Sequence, residues 1–236
     1  MWRRVRRTVP SVTPVLRPLP PTFAATRSSL HAVAEHILAP CRYLATGHIG
    51  LRAAYQGFGT PGGEREVRVE ADVLVDGGRR ERLSTLRAAG KFLDITPGAP
   101  AGVYTPATPL DLDAPLDVDA DAARALGDWY GFCAGLLDAM LAGASADDAP
   151  DEVQLWPEHF DIATSLGPEG ARANYGGSPG DADHAEPYLY IGPWSMEGRD
   201  GEFWNESFGA SLSYGALLDG ADGHAFLGQG KELLHA

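Results

Sequence analysis

Apolar positions in the first half of the chain change from a helical spacing to a strand-like one. Between residues 26 and 38 they recur at the i, i+3, i+4, i+7 spacing of one helix face, and Pro40 is expected to end that helix. Residues 67–75 then alternate apolar with charged side chains, which predicts a half-buried strand. Asp76-Gly77-Gly78 suits a tight turn, so residues 79–84 should return antiparallel to that strand.

Two further segments have helical spacing before the chain becomes rich in small and acidic residues. Residues 85–93 predict a short helix, and Asp119 or Asp121 can cap a longer one that runs to about Leu141. The many prolines of residues 96–115 predict an ordered loop. Residues 143–152 predict an acidic linker between an N-terminal α+β part, 22–142, and a C-terminal part, 153–236. We expect the two parts to pack as one unit.

The C-terminal part is dense in aromatic residues and predicts short strands followed by a helix. Residues 159–164 alternate, with Phe160 and Ile162 on one side, and residues 188–194 alternate with Tyr188 and Tyr190 on one side. The last helix is predicted near residues 225–234. Together these elements predict an α+β fold in which antiparallel sheets pack against two or three helices.

Charge divides the chain into a basic start and an acidic body. The formal net charge is −13 at pH 7, which disfavours nucleic acid and anionic membranes as partners. Residues 1–21 are rich in arginine and proline and predict a basic disordered extension. This extension has no apolar run of the signal-peptide kind, and no stretch of about 18 apolar residues occurs elsewhere. We therefore expect a soluble, cytoplasmic protein with no nucleic-acid or membrane partner.

Two glycine-rich segments match known motifs but lack the context that those motifs require. Residues 57–62 fit G-x-G-x-x-G, yet a predicted strand follows where a dinucleotide site needs a helix N-terminus. Residues 176–180 fit G-x-S-x-G, yet Pro179 lacks the N–H that an oxyanion hole would use. We expect both segments to form turns. Cys41 and Cys133 are expected to be reduced core residues.

Ligand-type side chains concentrate in the C-terminal part, around residues 158–161 and 181–186. His159 and Asp161 lie two apart on a predicted strand and would share a face, as an acid/base pair or metal-ligand pair requires. His184 or Glu186 could complete a small-molecule site in which Asp161 orients His159. The cofactor is left unknown, since no metal-ligand spacing such as H-E-x-x-H is present.

The same residues allow a simpler interpretation. A histidine beside Pro157 and Trp156 is often a structural hydrogen-bonding group, and an acidic loop is often only solvated. Two functions therefore stay open, an enzyme or small-molecule-binding protein and a non-catalytic ligand-binding or protein-interaction module. An enzyme requires His159, Asp161 and a group from residues 181–186 to converge beside a cavity.

Four segments of the sequence resemble a pattern in uncharacterised actinobacterial proteins. These are Leu155-Trp156-Pro157-Glu158-His159-Phe160-Asp161, residues 174–181, residues 187–194 and Phe203-Trp204-Asn205. The resemblance extends over most of the chain but not over the basic extension. It implies one domain arrangement and no activity.

Overall fold

The computed structural model describes residues 15–63 and 65–235, and within them two antiparallel sheets of five strands each. The first sheet comprises β1 Arg52–Ala54, β2 Gly57–Gly59, β3 Val67–Glu70, β4 Val73–Asp76 and β5 Arg79–Arg82, paired in chain order. The second comprises β6 Gln154–Trp156, β7 Asp161–Leu166, β8 Ala173–Ser178, β9 Tyr188–Pro193 and β10 Ala210–Ser213, also in chain order. The predicted α+β class is confirmed.

Helices cover the sheets and close the core. They are α1 Phe23–Val33, a π-helical turn Ala34–Leu38, α2 Ala39–Thr46, α3 Leu86–Leu93, α4 Ala120–Ala142, a 3₁₀ turn Ala146–Asp148, α5 Tyr214–Leu218 and α6 Gly223–Leu234. The helices predicted at 85–93, from Asp119 and at 225–234 are confirmed, as is the loop at 96–115. In the described part of the chain, no helix has the length and apolarity needed to cross a membrane.

Helix α4 packs on both sheets and joins the two parts of the chain. Its Gly127 lies so close to β2 that an added Cβ would be 2.9 Å from the Gln56 Cα atom. Further along the helix, Trp129 and Cys133 pack against Gly177 of β8. The sheets also meet edge to edge, since Leu51 and Leu155 exchange backbone hydrogen bonds of 2.8 and 2.9 Å. Buried residues of both parts form one hydrophobic cluster.

The predicted extension and linker both include segments that contact this core. Residues 1–14 of the extension lie outside the described residues, but Leu16 and Leu19 pack against the core. The Tyr214 hydroxyl donates to the Arg17 carbonyl at 2.8 Å. Within residues 143–152, Asp148 is buried and accepts from Lys231 Nζ at 3.1 Å. Cys41 and Cys133 are buried free thiols, as predicted.

The expectation that Pro40 ends the first helix was wrong, because the helix continues to Thr46 through a π-helical turn. Proline has no N–H to donate to the preceding turn. Two carbonyls of the preceding turn accept hydrogen bonds from outside the helix instead. The Glu35 carbonyl accepts from the Tyr104 hydroxyl at 3.2 Å, and the His36 carbonyl accepts from the Gly98 N–H at 3.0 Å. The π-helical turn therefore binds the loop between α3 and α4 to the helix.

The single strand predicted over residues 67–75 is two strands, β3 and β4, joined by a turn at Ala71-Asp72. Ala71 has a φ of 52°, a left-handed conformation that alanine rarely adopts. The turn contains neither Gly nor Pro, so the sequence gives no signal for it. The next hairpin is as predicted, with β4 paired antiparallel to β5 across Gly77-Gly78.

The two glycine segments were wrongly predicted to be turns, since Gly57–Gly59 forms β2 and Gly176 and Gly177 lie in β8, at the centre of its sheet. Close packing explains these glycines. A Cβ at Gly57 would overlap the Val69 carbonyl, and a Cβ at Gly177 would overlap Cys133 Sγ. The glycines allow neighbouring backbone and α4 to approach the strands.

We predict that Gly177→Ala destabilises the protein by about 1–3 kcal/mol, because the new methyl group forces α4 away from β8. Gly228→Ala is the matched control, since Gly228 is exposed on α6 with no atom near its Cβ position. Alanine there should stabilise the helix by up to about 1 kcal/mol. Urea denaturation midpoints of the two variants compare these effects. Equal midpoints would contradict the close packing of α4 on β8.

Candidate functional site

The face of the second sheet that points away from α4 carries most of the polar side chains of its strands. Leu155, Ile162 and Leu189 point into the core, and their strand neighbours point outward. Cross-strand register places Ala163, Gly176 and Tyr190 side by side on this outer face. The outer-face residues that line a cleft are Gln154, Trp156, Asp161, Ala163, Ser165, Asn174, Ser178, Tyr188, Tyr190 and Gly192.

The cleft consists of two adjoining cavities of about 670 and 500 Å³. Five residues line both cavities, which are Glu158, His159, Asp161, Asn174 and Tyr190. These volumes fall in the range of small-molecule sites in proteins. The shared residues therefore mark the centre of one cleft.

Helix α1 and the loop bound to its π-helical turn supply the opposite wall. The buried Glu35 carboxylate accepts hydrogen bonds from the Ala107 and Thr108 N–H groups, both at 2.8 Å, and Ala107 lines the cleft. His31 also lines it and stacks on Phe160 with ring centroids 4.9 Å apart. Burial lowers the pKa of His31, despite the nearby Glu35 charge, which favours the neutral imidazole.

Asp161 is the buried carboxylate at the centre of the cleft, with 8% of its surface exposed. Its Oδ2 atom accepts a hydrogen bond from the Tyr190 hydroxyl. Its Oδ1 atom is buried and has no hydrogen-bond partner among the described residues. Burial raises the pKa of Asp161, although the Tyr190 hydrogen bond and the His159 charge act in the opposite direction.

Gly176 allows Tyr190 to reach Asp161. Tyr190 lies opposite Gly176, and Gly176 lies opposite Ala163, so the phenol crosses β8 diagonally to the first residue of β7. A Cβ at position 176 would be 2.7 Å from the Tyr190 ring. Burial, and then the Asp161 charge, raise the pKa of Tyr190 well above its ordinary value, so this phenol stays a donor.

His159 lines the same cleft as Asp161 but lies in the turn before β7, and not on the strand as predicted. Phe160, between them, has a φ of 56°, which reverses the chain direction locally. The His159 side chain is exposed, and it makes no hydrogen bond within residues 15–63 and 65–235. The two predicted residues therefore share the cleft without forming a hydrogen-bonded pair.

His184 and Glu186 do not line the cleft. His184 Nε2 lies 3.1 Å from Glu206 Oε1 and its Nδ1 lies 3.4 Å from Asp181 Oδ1. These carboxylates raise the pKa of His184, although its partial burial acts to lower it. Glu186 is exposed. The structure thus brings His159 and Asp161 to one cavity and leaves His184 and Glu186 out of it.

From the predicted acidic loop, Asp181 lines the cleft. Its carboxylate accepts from the Tyr188 hydroxyl at 2.7 Å and from the N–H groups of Asp183 and His184, both at 2.8 Å. Partial burial would raise the pKa of Asp181, but these hydrogen bonds hold it below the ordinary value. Asp181 is thus a satisfied carboxylate, in contrast to Asp161.

Three residues of the site were not among the predicted site residues. They are Glu158 and the two tyrosines of β9. Glu158 Oε2 is buried without a hydrogen-bond partner among the described residues. The alternation of β9 already placed Tyr188 and Tyr190 on one face, so this signal was available in the sequence. Asn174 and Ser178 carried no such signal, because they belong to β8, whose glycines predicted a turn.

The described residues contain no group of three or more His, Cys, Asp or Glu side chains placed to hold a metal ion. Comparison of the chain with protein-family models, with curated proteins and with solved structures gave no match.

We predict that Asp161→Asn stabilises the protein at pH 7 by about 1–2 kcal/mol. Single stabilising substitutions commonly have effects of this size, and at functional sites they often reduce function. The pKa of Asp161 is higher in the folded than in the unfolded chain, where it is near 3.8. The free energy of unfolding of the wild-type protein should therefore fall as pH rises from about 4 through the pKa that Asp161 has in the folded state. Above that pKa, the destabilisation by the buried charge should be complete. Asparagine keeps an oxygen for Tyr190 and removes the charge.

Denaturant midpoints at pH 7 and near pH 4 test this prediction, with exposed Asp183→Asn as control. The advantage of Asp161→Asn should shrink at the lower pH, where the wild-type carboxyl is protonated. A variant that is less stable than wild type at pH 7, or whose advantage is independent of pH, would contradict the assignment of a buried, uncompensated carboxylate.

Proposed function

We propose that this protein binds a small polar molecule in the cleft on the outer face of the second sheet, with His159, Asp161 and Tyr190 as its polar contacts. The observation that supports this proposal most is the Oδ1 atom of Asp161, which is buried beside a cavity without a partner in the described chain. Burying a carboxylate oxygen without a donor costs free energy. A ligand that donates a hydrogen bond to this atom would recover that cost.

A reaction at this site would use proton transfer between Asp161, Tyr190 and the bound molecule. Asp161 has a free oxygen to accept a proton, and its raised pKa brings it closer to neutral pH, where a general base works best. His159 is exposed and lines the same cavity, where its imidazole can contact the bound molecule. In a non-catalytic binding module the same groups would only hold the ligand.

The sequence-based predictions about cell location and partners stand beside this proposal. The net charge of −13 supports the prediction that the protein has no nucleic-acid partner. The cytoplasmic location stays a prediction of the sequence.

The experiment is a thermal-shift screen with amines, alcohols, sugars and carboxylates, followed by His159→Ala. We expect at least one compound to raise the unfolding midpoint of the wild-type protein, because a ligand specific to the folded state stabilises it. His159→Ala should weaken that binding by about tenfold, near 1.4 kcal/mol. Its own stability should stay within about 0.5 kcal/mol of wild type, since the side chain is exposed.

His48→Ala is the matched control, because His48 is exposed and lies outside the cleft. It should bind the same compound with wild-type affinity. The proposal is wrong if no compound stabilises the wild-type protein, or if His159→Ala binds the compound as tightly as His48→Ala does.

A further inference from the structure

Two residues that line the centre of the cleft each have one buried carboxylate oxygen that lacks a hydrogen-bond donor among the described residues. These oxygens are Asp161 Oδ1 and Glu158 Oε2, and both residues line both cavities. A carboxylate accepts hydrogen bonds and cannot donate them when ionised. The group that completes this site must therefore bring N–H or O–H donors, and preferably a positive charge.

Among the residues that the structure describes, those that line the cleft include no lysine and no arginine. They include instead five carboxylates, from Asp151, Glu152, Glu158, Asp161 and Asp181. Arg172 pairs with Asp151 from outside the lining, at 2.8 Å. Burial favours the neutral form of His31, and exposed His159 lines the same two cavities as Asp161. This charge distribution repels anionic ligands and attracts cations.

Aromatic rings form another part of the wall, and they suit the same kind of ligand. Trp156, Tyr188, Tyr190 and Phe208 line the cavities. The faces of such rings attract an ammonium or guanidinium group and pack against its apolar substituents. Tyr188 and Tyr190 are held in place by hydrogen bonds to Asp181 and Asp161, so this wall is preformed.

We propose that the ligand of this cleft carries a cationic nitrogen, a primary ammonium or a guanidinium, which donates hydrogen bonds to Asp161 Oδ1 and Glu158 Oε2. This inference rests on the proposed function and names the chemical class of the ligand. The cation replaces the missing donors of both carboxylates, and the apolar part of the ligand lies along the aromatic wall. A carboxylate, phosphate or sulfate group has no place at this centre.

The test compares two cations with neutral molecules of nearly the same shape, using the full chain. The pairs are 2-phenylethylammonium with 2-phenylethanol, and methylguanidinium with methylurea, each titrated at pH 7 and followed by amide chemical shifts. At least one cation should bind about tenfold or more tightly than its neutral partner, as expected for a charge-assisted hydrogen bond. The shifts should be centred on residues of β7 and β9.

Variants then assign the binding to the two carboxylates. Asp161→Asn should weaken binding of the cation by about tenfold or more, and so should Glu158→Gln, while Asp183→Asn should leave it unchanged. The affinity of Glu158→Gln for the cation is a second test that does not depend on the folding of Asp161→Asn. The inference is overturned if neither cation binds up to tens of millimolar, if the neutral partners bind equally well, or if both carboxylate variants retain wild-type affinity.

These outcomes separate this inference from the proposed function. If the screen finds a neutral or anionic compound whose binding depends on His159 while both cations fail, the cleft is a binding site of another ligand class. If no compound of any class binds, both proposals fail.

Discussion

Gly176 and Gly177 are neighbours on β8, and the lack of side chains at these two positions sets both faces of the second sheet. On the inner face, Gly177 allows Cys133 and Trp129 of α4 to contact the strand. On the outer face, Gly176 allows the Tyr190 phenol to cross the strand and reach Asp161. The fold and the cleft thus depend on one close-packed dipeptide, because successive strand residues point to opposite faces.

Pro40 in the first helix is a second constraint, and it shapes another wall of the cleft. Pro40 cannot donate a backbone hydrogen bond, and the helix accommodates it with the π-helical turn Ala34–Leu38. Two carbonyls of that turn and the Glu35 carboxylate accept hydrogen bonds from the loop between α3 and α4. The loop is thereby held against the helix, and its Ala107 lines the cleft. π-Helical turns often occur at functional sites, and here the turn shapes the cavity wall without contributing a ligand.

The sequence predicted the fold class, the positions of α3, α4 and α6 and the alternation of side chains along β9, because these depend on local periodicity and capping. It missed β8, the continuation of the first helix past Pro40 and the turn at Ala71, because each is decided by contacts with distant segments. The same division holds for the site. His159 and Asp161 could be grouped because they are close in the sequence, although His159 lies in a turn and not on the predicted strand. The sequence could not show that Tyr190, from another strand, binds Oδ2 of Asp161, or that Oδ1 has no partner among the described residues. His184 could not be excluded beforehand, because its partner Glu206 is far along the chain.

Asp161 is a buried carboxylate, and among the described residues only one of its two oxygens has a hydrogen-bond partner. The most direct test is a pH titration of the Asp161 carboxyl carbon by ¹³C NMR in the wild-type protein, with Asp181 as an internal comparison. The account predicts an inflection for Asp161 above the ordinary aspartate value near 3.8 and one for Asp181 below it. An inflection for Asp161 at or below that of Asp181 would contradict the account, because it would mean that solvent or a protein donor already satisfies Oδ1.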